Sequence, residues 1–382
     1  MARSNASIAV TGLRGMPNVM GGIESHCEEL LPRIKQRRPQ LRITVFARAP
    51  YVGGERRSFG GIDVVPVASG KRQSTEALLG TFFGVLAAAF SRARLIHIHA
   101  IGPGLMAPLA RLFGFRVVVT HHGADYDRAK WGRVARFVLR AGEWAAIHFA
   151  HKVIAVSPSL AEAMKAAYPR QAAKIRFIPN GAPRIEIGEE PPEAVLSKLG
   201  ISPQAFMLAV GRLVPEKGFD YLIEAFHRCR CGRKLLIAGG ADHVTPFVEF
   251  LQRQADEEVV LIGNQPRSVL RVLYQYTGRF ILPSYHEGLA ISALEAGMLA
   301  APSMLSDIAA NRDLGYDQDH YFPVGNVGAL TAKLAEPDAM FRVDAAKLQT
   351  QFDWDRIARQ TLELYDETLA EPAPVAARSA GA

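Results

Sequence analysis

From one end of the chain to the other, short apolar, β-branched runs alternate with segments long enough to be helices, and that alternation leaves few architectures open. Strand-like runs in the first half cover 7–11, 42–47, 63–67, 95–100, 116–120, 152–156 and 175–179. Those in the second half cover 206–210, 234–238, 259–262, 279–282 and 301–305. Between them fall helix-length stretches such as 23–37, 105–113, 133–151, 219–228 and 291–298. Strands that are apolar on both faces belong in parallel sheets covered on both sides by helices. With 382 residues to place, the expected fold class is α/β, with two doubly wound, Rossmann-like domains of similar size.

The stretch PRIEIGEEPP at 183–192 is rich in Pro, Gly and Glu and reads as the joint between the two. The expected organisation is a first domain over 1–183, a linker over 184–192 and a second domain over 193–352. A last helix over 353–370 is expected to pack back on the first domain, with a disordered tail over 371–382. Three cysteines (Cys27, Cys229 and Cys231) with no CxxC pair argue against a disulfide framework or a zinc ribbon and for a reducing cytoplasm. The N-terminus lacks the apolar core of a signal peptide. The longest apolar stretch, 77–90, has 14 residues, short of the ~20 that span a bilayer, and reads as a buried or interfacial helix.

Charge is divided unevenly. Residues 1–190 hold 27 Lys and Arg against 13 Asp and Glu, whereas residues 191–382 hold 18 against 24, giving net charges of +14 and −6. A basic first half suits an anionic partner, such as an acidic membrane leaflet or a phosphorylated lipid. Arg33, Lys35, Arg37 and Arg38 form one basic group and Arg128, Lys130, Arg133, Arg136 and Arg140 another, although a solvated surface would carry the same pattern. Nucleic acid is disfavoured, because no zinc-finger or RNP signature is present.

In open α/β sheets ligands gather at the carboxyl ends of the strands, and the residues with chemistry in them lie there. Gly21 and Gly22 open a helix after the first strand, where bare backbone N–H groups let a phosphate approach. The spacing is neither GxGxxG nor GxxxxGK[ST], so a dinucleotide or P-loop site is not indicated. After the strand at 206–210 come Arg212 and Lys217, two cations suited to a diphosphate. After the strand at 279–282 comes SYHEGLAISALEA, with Gly288 expected just inside a helix that carries Glu287 and Glu295. Eight positions along such a helix separate the two backbones by about 12 Å, too far for a glycosidase pair, whose carboxyls lie roughly 5–9.5 Å apart. That separation does match the reach from sugar to ribose in a nucleotide-sugar, with the N–H groups of Gly288 and Leu289 placed for the phosphates between.

Taken in order, GGIE (21–24), HGAD (122–125), PNG (179–181), GRLVPEKGFDYLIEAF (211–226), the two glutamates at 287 and 295, and SDIAANRD (306–313) resemble a retaining glycosyltransferase of family 4 with GT-B architecture. The resemblance runs across nearly the whole chain. It implies transfer of a hexose from a nucleotide diphosphate-sugar to a hydroxyl acceptor by front-face attack, with no metal and no cofactor beyond the co-substrate. It further implies that Gly21 and Gly22 approach the donor phosphate or the acceptor, and that Arg212 and Lys217 neutralise the leaving diphosphate. Glu287 would contact sugar hydroxyls, Gly288 and Leu289 the phosphate, Glu295 the ribose, and His122 would sit beside the reacting sugar. Ala290, where many relatives carry Pro or Gly, and GMLA at 297–300 depart from the family pattern and bear on donor preference.

With the acceptor taken by the basic first domain, a lipid-linked saccharide at the inner membrane face is the expected partner, in polysaccharide assembly, with the protein cytoplasmic and peripheral on that membrane. A nucleotide-sugar 2-epimerase and a non-catalytic nucleotide-sugar-binding protein share the same architecture and stay open. His97, His99, His121 and His122 end two neighbouring strands and invite a metal reading, but convergence of their rings is not visible in a sequence. The DxD at 125–127 recurs at 317–319 and 353–355 and carries little weight, and no G-x-S-x-G elbow is present.

Overall fold

A computed structural model describes residues 6–19, 21–70, 73–123, 132–182, 188–241 and 244–371. The DxD at 125–127, Arg128, Lys130, residues 183–187 and the tail beyond 371 lie outside the described residues. Eight strands build a first sheet: β1 (Ser7–Thr11), β2 (Arg42–Arg48), β3 (Arg57–Phe59), β4 (Ile62–Val67), β5 (Leu95–His99), β6 (Arg116–His121), β7 (Lys152–Ala155) and β8 (Ile175–Phe177). Six build a second: β9 (Phe206–Val210), β10 (Lys234–Ala238), β11 (Val259–Gly263), β12 (Arg279–Leu282), β13 (Ser303–Ser306) and β14 (Tyr321–Phe322).

The first sheet runs β3-β4-β2-β1-β5-β6-β7-β8 and is parallel except for β3, which pairs antiparallel with β4. The second runs β11-β10-β9-β12-β13-β14 and is parallel throughout. That is the doubly wound order, with the strand order reversing between β9 and β12; in the first sheet it reverses between β1 and β5. A crevice opens at each reversal, and the loops after β1, β5, β6, β9 and β12 feed it.

Alternate residues of each strand enter different cores, which is why the strands read as apolar throughout. Ile8 and Val10 pack on one face of the first sheet, Ala9, Ile96 and Ile98 on the other. Phe206 and Leu208 divide from Met207 and Ala209 in the same way in the second sheet. The edge strand β3 is exposed and short, and so escapes a search for apolar runs. The helix expected over 105–113 is the shorter Ala107–Leu112, preceded by a single helical turn, Ile101–Gly104, outside the expected range. The apolar stretch at 77–90 falls in the helix Gln73–Ala89, whose Val85 and Ala88 are buried against the first sheet.

The last helix, Trp354–Ala370, starts where the Asp353 side chain accepts from the Arg356 N–H at 2.7 Å. It lies along the helix Gly22–Arg37 and places Trp354, Ile357, Ala358, Leu364 and Tyr365 in the core of the first sheet. Arg38 clamps Asp366 through two hydrogen bonds of 2.6 Å, the bidentate geometry that a guanidinium favours. Among the described residues no helix is long and apolar enough to cross a membrane.

Candidate functional site

The strands of both sheets point their carboxyl ends into one cleft, and the loops meet there backbone to backbone. β6 ends at His121, and the next two residues lie against Gly288 of the second domain. A Cβ on Gly288 would overlap the His122 carbonyl oxygen, lying 2.6 Å from its carbon and 3.2 Å from the Gly123 Cα. Only glycine permits that approach. The expectation of Gly288 inside a helix is corrected here. The helix Ile291–Met298 begins three residues later, so Glu287, Gly288 and Leu289 belong to the loop after β12 and Glu295 alone to the helix. The straight 12 Å spacing therefore does not apply.

Glu287 is held by two donors on the same oxygen. Lys217 Nζ is 2.5 Å and Ser284 Oγ 2.6 Å from Glu287 Oε1. Lys217 arrives from the loop after β9 and lies over Gly211, so the ion pair joins the two strand ends flanking the reversal. Both partners are mostly buried, with side-chain exposures of 17% and 10%. Arg212, half-buried, lies in the same loop.

Glu295 is buried within the second domain. Tyr274 donates to its Oε2 at 3.0 Å and Arg267 reaches its Oε1 at 3.5 Å. Burial raises its pKa above the ordinary carboxylate value, with Arg267 opposing the rise. The same Arg267 pairs with Glu29 of the first domain at 3.1 Å and so links the domains.

On the first-domain side, Gly21 adopts φ 150°, and a side chain there would overlap the Glu24 carboxylate. Glu24 accepts the Arg14 N–H at 2.8 Å; burial raises its pKa, partly offset by that bond. Gly22 opens the helix facing Ile291 of the second domain, whose Cδ1 would lie 3.9 Å from a Cβ at Gly22. One turn along the same face comes His26, a residue that strand-end reasoning passed over. Its Nδ1 and the Asn180 Oδ1 are 2.9 Å apart, and Asn180 Nδ2 donates to the Leu289 carbonyl at 3.1 Å. Asn180 thus ties the first-domain helix to the loop beside Gly288.

The four histidines singled out at the strand ends do not form one cluster. His121 accepts the Gly123 N–H on Nδ1 and therefore donates from Nε2 to Glu143 at 2.9 Å. His97 is enclosed by Tyr365 and Thr120, each at 2.7 Å. His26, His99 and His122 do converge: their ligand-capable atoms all lie within 4.8 Å of one another, and His99 Nδ1 is 3.0 Å from His122 Nε2. Burial lowers the pKa values of His26, His97, His99 and His122, to about 4 for His26 and about 3 for His97, with mutual repulsion adding to the effect at His99 and His122. At neutral pH the group is uncharged. Three neutral imidazoles can hold a transition metal, but the His99–His122 and His26–Asn180 hydrogen bonds also satisfy them without one.

The model for glycosyltransferase family 4 matches residues 20–184, and that for glycosyl transferases group 1 matches residues 194–336. The chain belongs to glycosyltransferase family 4. Among characterised relatives, it is 28% identical over 334 residues to α-maltose-1-phosphate synthase of Mycobacterium tuberculosis, covering 78% of this chain and 85% of that one. It is also 28% identical over 320 residues to D-inositol 3-phosphate glycosyltransferase of Gordonia bronchialis, covering 75% and 69%. In fold it is similar to sucrose-phosphate synthase from Thermosynechococcus elongatus, with a TM-score of 0.79, 21% identity and coverage of 96% and 99%. HepE of Anabaena, in complex with UDP and glucose, superposes with a TM-score of 0.73 at 19% identity, covering 95% and 100%. This glycosyltransferase therefore has GT-B architecture, and the pairing of Lys217 with Glu287 lies at the strand reversal of its second domain.

Proposed function

We propose that this glycosyltransferase moves a hexose from a nucleotide diphosphate-sugar to a hydroxyl of a lipid-linked saccharide, with retention of anomeric configuration and without a metal. The Lys217–Glu287 ion pair at the second-domain crevice carries the reading. A cation there faces the leaving diphosphate, while a carboxylate whose two donors share one oxygen keeps Oε2 for sugar hydroxyls. Glu295 takes the ribose, the N–H groups of Gly288 and Leu289 take phosphate oxygens, and His122 lines the sugar side. The bond from the anomeric carbon to the diphosphate oxygen breaks as the acceptor oxygen attacks the same face, and the acceptor proton passes to the departing phosphate. Charge develops on the diphosphate, so Arg212 and Lys217 supply the main stabilisation.

Two features support the donor and acceptor classes. HepE binds UDP and glucose in the same fold. The names of the mycobacterial and Gordonia relatives both include a phosphorylated sugar or polyol, and the net charge of +14 over residues 1–190 suits an acceptor bearing phosphate. In the test, sugar transfer from UDP-, GDP- and ADP-hexoses is followed with a polyprenyl-diphosphate saccharide, a sugar 1-phosphate or an inositol phosphate as acceptor. Arg212→Ala with Lys217→Ala should lower kcat at least ~10³-fold, at ~10²–10³ for each lost donor. Near-normal turnover in that double variant overturns the assignment. Conversion of the donor without acceptor makes the protein an epimerase, and nucleotide binding with no product makes it a binding protein.

A further inference from the structure

Helix Arg133–Phe149 follows the cleft loop at His122–Gly123 and packs one face tightly on the helix Ile101–Gly104. Gly142, Ala145, Ala146 and Ile147 are buried on that side. The opposite face is neither buried nor conventionally polar. Val134 is 78% exposed, Phe137 73% and Trp144 50%, and Arg133, Arg136 and Arg140 are exposed among them. Positions 133, 137, 140 and 144 recur at helical spacing, so apolar rings and guanidinium groups share one stripe along a helix about 25 Å long.

Charge around this stripe is predominantly basic, the exception being Glu371, which pairs with Lys152 at 2.9 Å near the C-terminal end of the helix. The only acid in the helix, Glu143, is buried and faces His121 and Tyr168. The helices Ile101–Gly104 and Ala107–Leu112, β7 and the 3-10 turn Pro169–Lys174 pack against it. They contribute Arg111, Lys152, Arg170 and Lys174 and no Asp or Glu. Basic residues interleaved with large apolar ones on a convex helix match the charged headgroups and acyl boundary of a bilayer. Single-stranded nucleic acid would instead need a groove that tracks its backbone.

We propose that the exposed face of helix Arg133–Phe149 docks on an anionic lipid bilayer, with Arg133 and Arg136 on the headgroups and Val134, Phe137 and Trp144 inserted at the boundary. This deepens the lipid-linked reading and rests on it for the acceptor. The helix begins at the carboxyl end of the first sheet, so a bilayer on this face lies beside the cleft mouth.

The experiment is co-sedimentation of the full chain with vesicles of phosphatidylcholine alone or mixed with phosphatidylglycerol. Binding is expected only to the anionic vesicles, weakening as salt is raised. Arg133→Ala with Arg136→Ala should lower the partition coefficient about thirtyfold, at ~1 kcal/mol per basic residue. Phe137→Ala with Trp144→Ala should also lower it, which a purely electrostatic attraction would not show. Equal binding to neutral vesicles, no vesicle binding, or variants that bind like the wild type would each overturn the proposal. So would oligonucleotide binding, or a dimer lost in the Phe137→Ala, Trp144→Ala variant, in a chain that ignores vesicles. Thermal shifts with nucleoside diphosphates on the same samples test the transferase reading separately. Docking without turnover of any lipid-linked saccharide counts against the acceptor and leaves the docking surface standing.

Discussion

Gly288→Ala isolates the closest approach between the two domains. The added Cβ would lie 2.6 Å from the His122 carbonyl carbon, whereas non-bonded carbons rest at ~3.5–4.0 Å. Neither backbone can yield alone, because β6 and the Asn180–Leu289 hydrogen bond hold both loops. The cleft must therefore open by about 1 Å at the point where the sugar is read to lie. A displacement of that size costs ~10²-fold in rate, or about 2.7 kcal/mol of transition-state stabilisation. The clash lies between domains and not within a core, so the melting temperature should change little and the thermal shift with the cognate nucleoside diphosphate should persist. The assay is kcat for transfer, measured with Tm for both proteins. A kcat within about threefold of wild type at unchanged Tm would refute the claim that this contact sets the reacting geometry. Gly123→Ala pushes on the same contact from the other side, so the double variant should lose much less than the product of the two single losses.

Two further outcomes concern the buried polar groups of the first domain. His26 and His97 titrate near 6.5 when unfolded but only at about 4 and about 3 when folded, so the unfolded chain binds more protons as pH falls below 6.5. Stability should therefore be fully present above pH 6.5 and fall towards pH 4, by on the order of 1.4 kcal/mol per pH unit for each imidazole. Urea midpoints at pH 7, 6 and 5 should decline and His97→Gln should flatten the slope; pH-independent midpoints would contradict this. Tyr365→Phe leaves the buried His97 Nδ1 without its partner and should cost about 1–3 kcal/mol in denaturant unfolding, with a loss under ~0.5 kcal/mol counting against it.

Most of the sheet framework was legible because burial on both faces makes a strand apolar at every position: β1, β9, β10 and β12 fall on the runs read from the chain, residue for residue. β3 and β14 were not, since one is exposed and polar and the other only two residues long. Strand-end loops pointed to Lys217 and Glu287 because a doubly wound sheet has only one edge for ligands. Local periodicity could not separate His121 from His122, whose adjacency sends one ring to Glu143 and the other to the cleft. Nor could it find Arg267 or the bridge through Asn180, which exist only once residues more than a hundred positions apart are brought together. The one available hint was the helix Gly22–Arg37, whose positions 22, 26, 29 and 33 form a stripe of non-apolar residues along one side.

The packing of Trp354–Ala370 on the first sheet also sets a timetable for synthesis. The ribosome finishes every strand of the first domain by Phe177, then makes the whole second domain before Trp354 emerges. At ~5–20 residues per second, that interval lasts about 10–35 s. Throughout it the nascent first domain keeps open the groove later filled by Trp354, Ile357, Leu364 and Tyr365. A premature stop anywhere in the second half would therefore leave the first half unfinished as well.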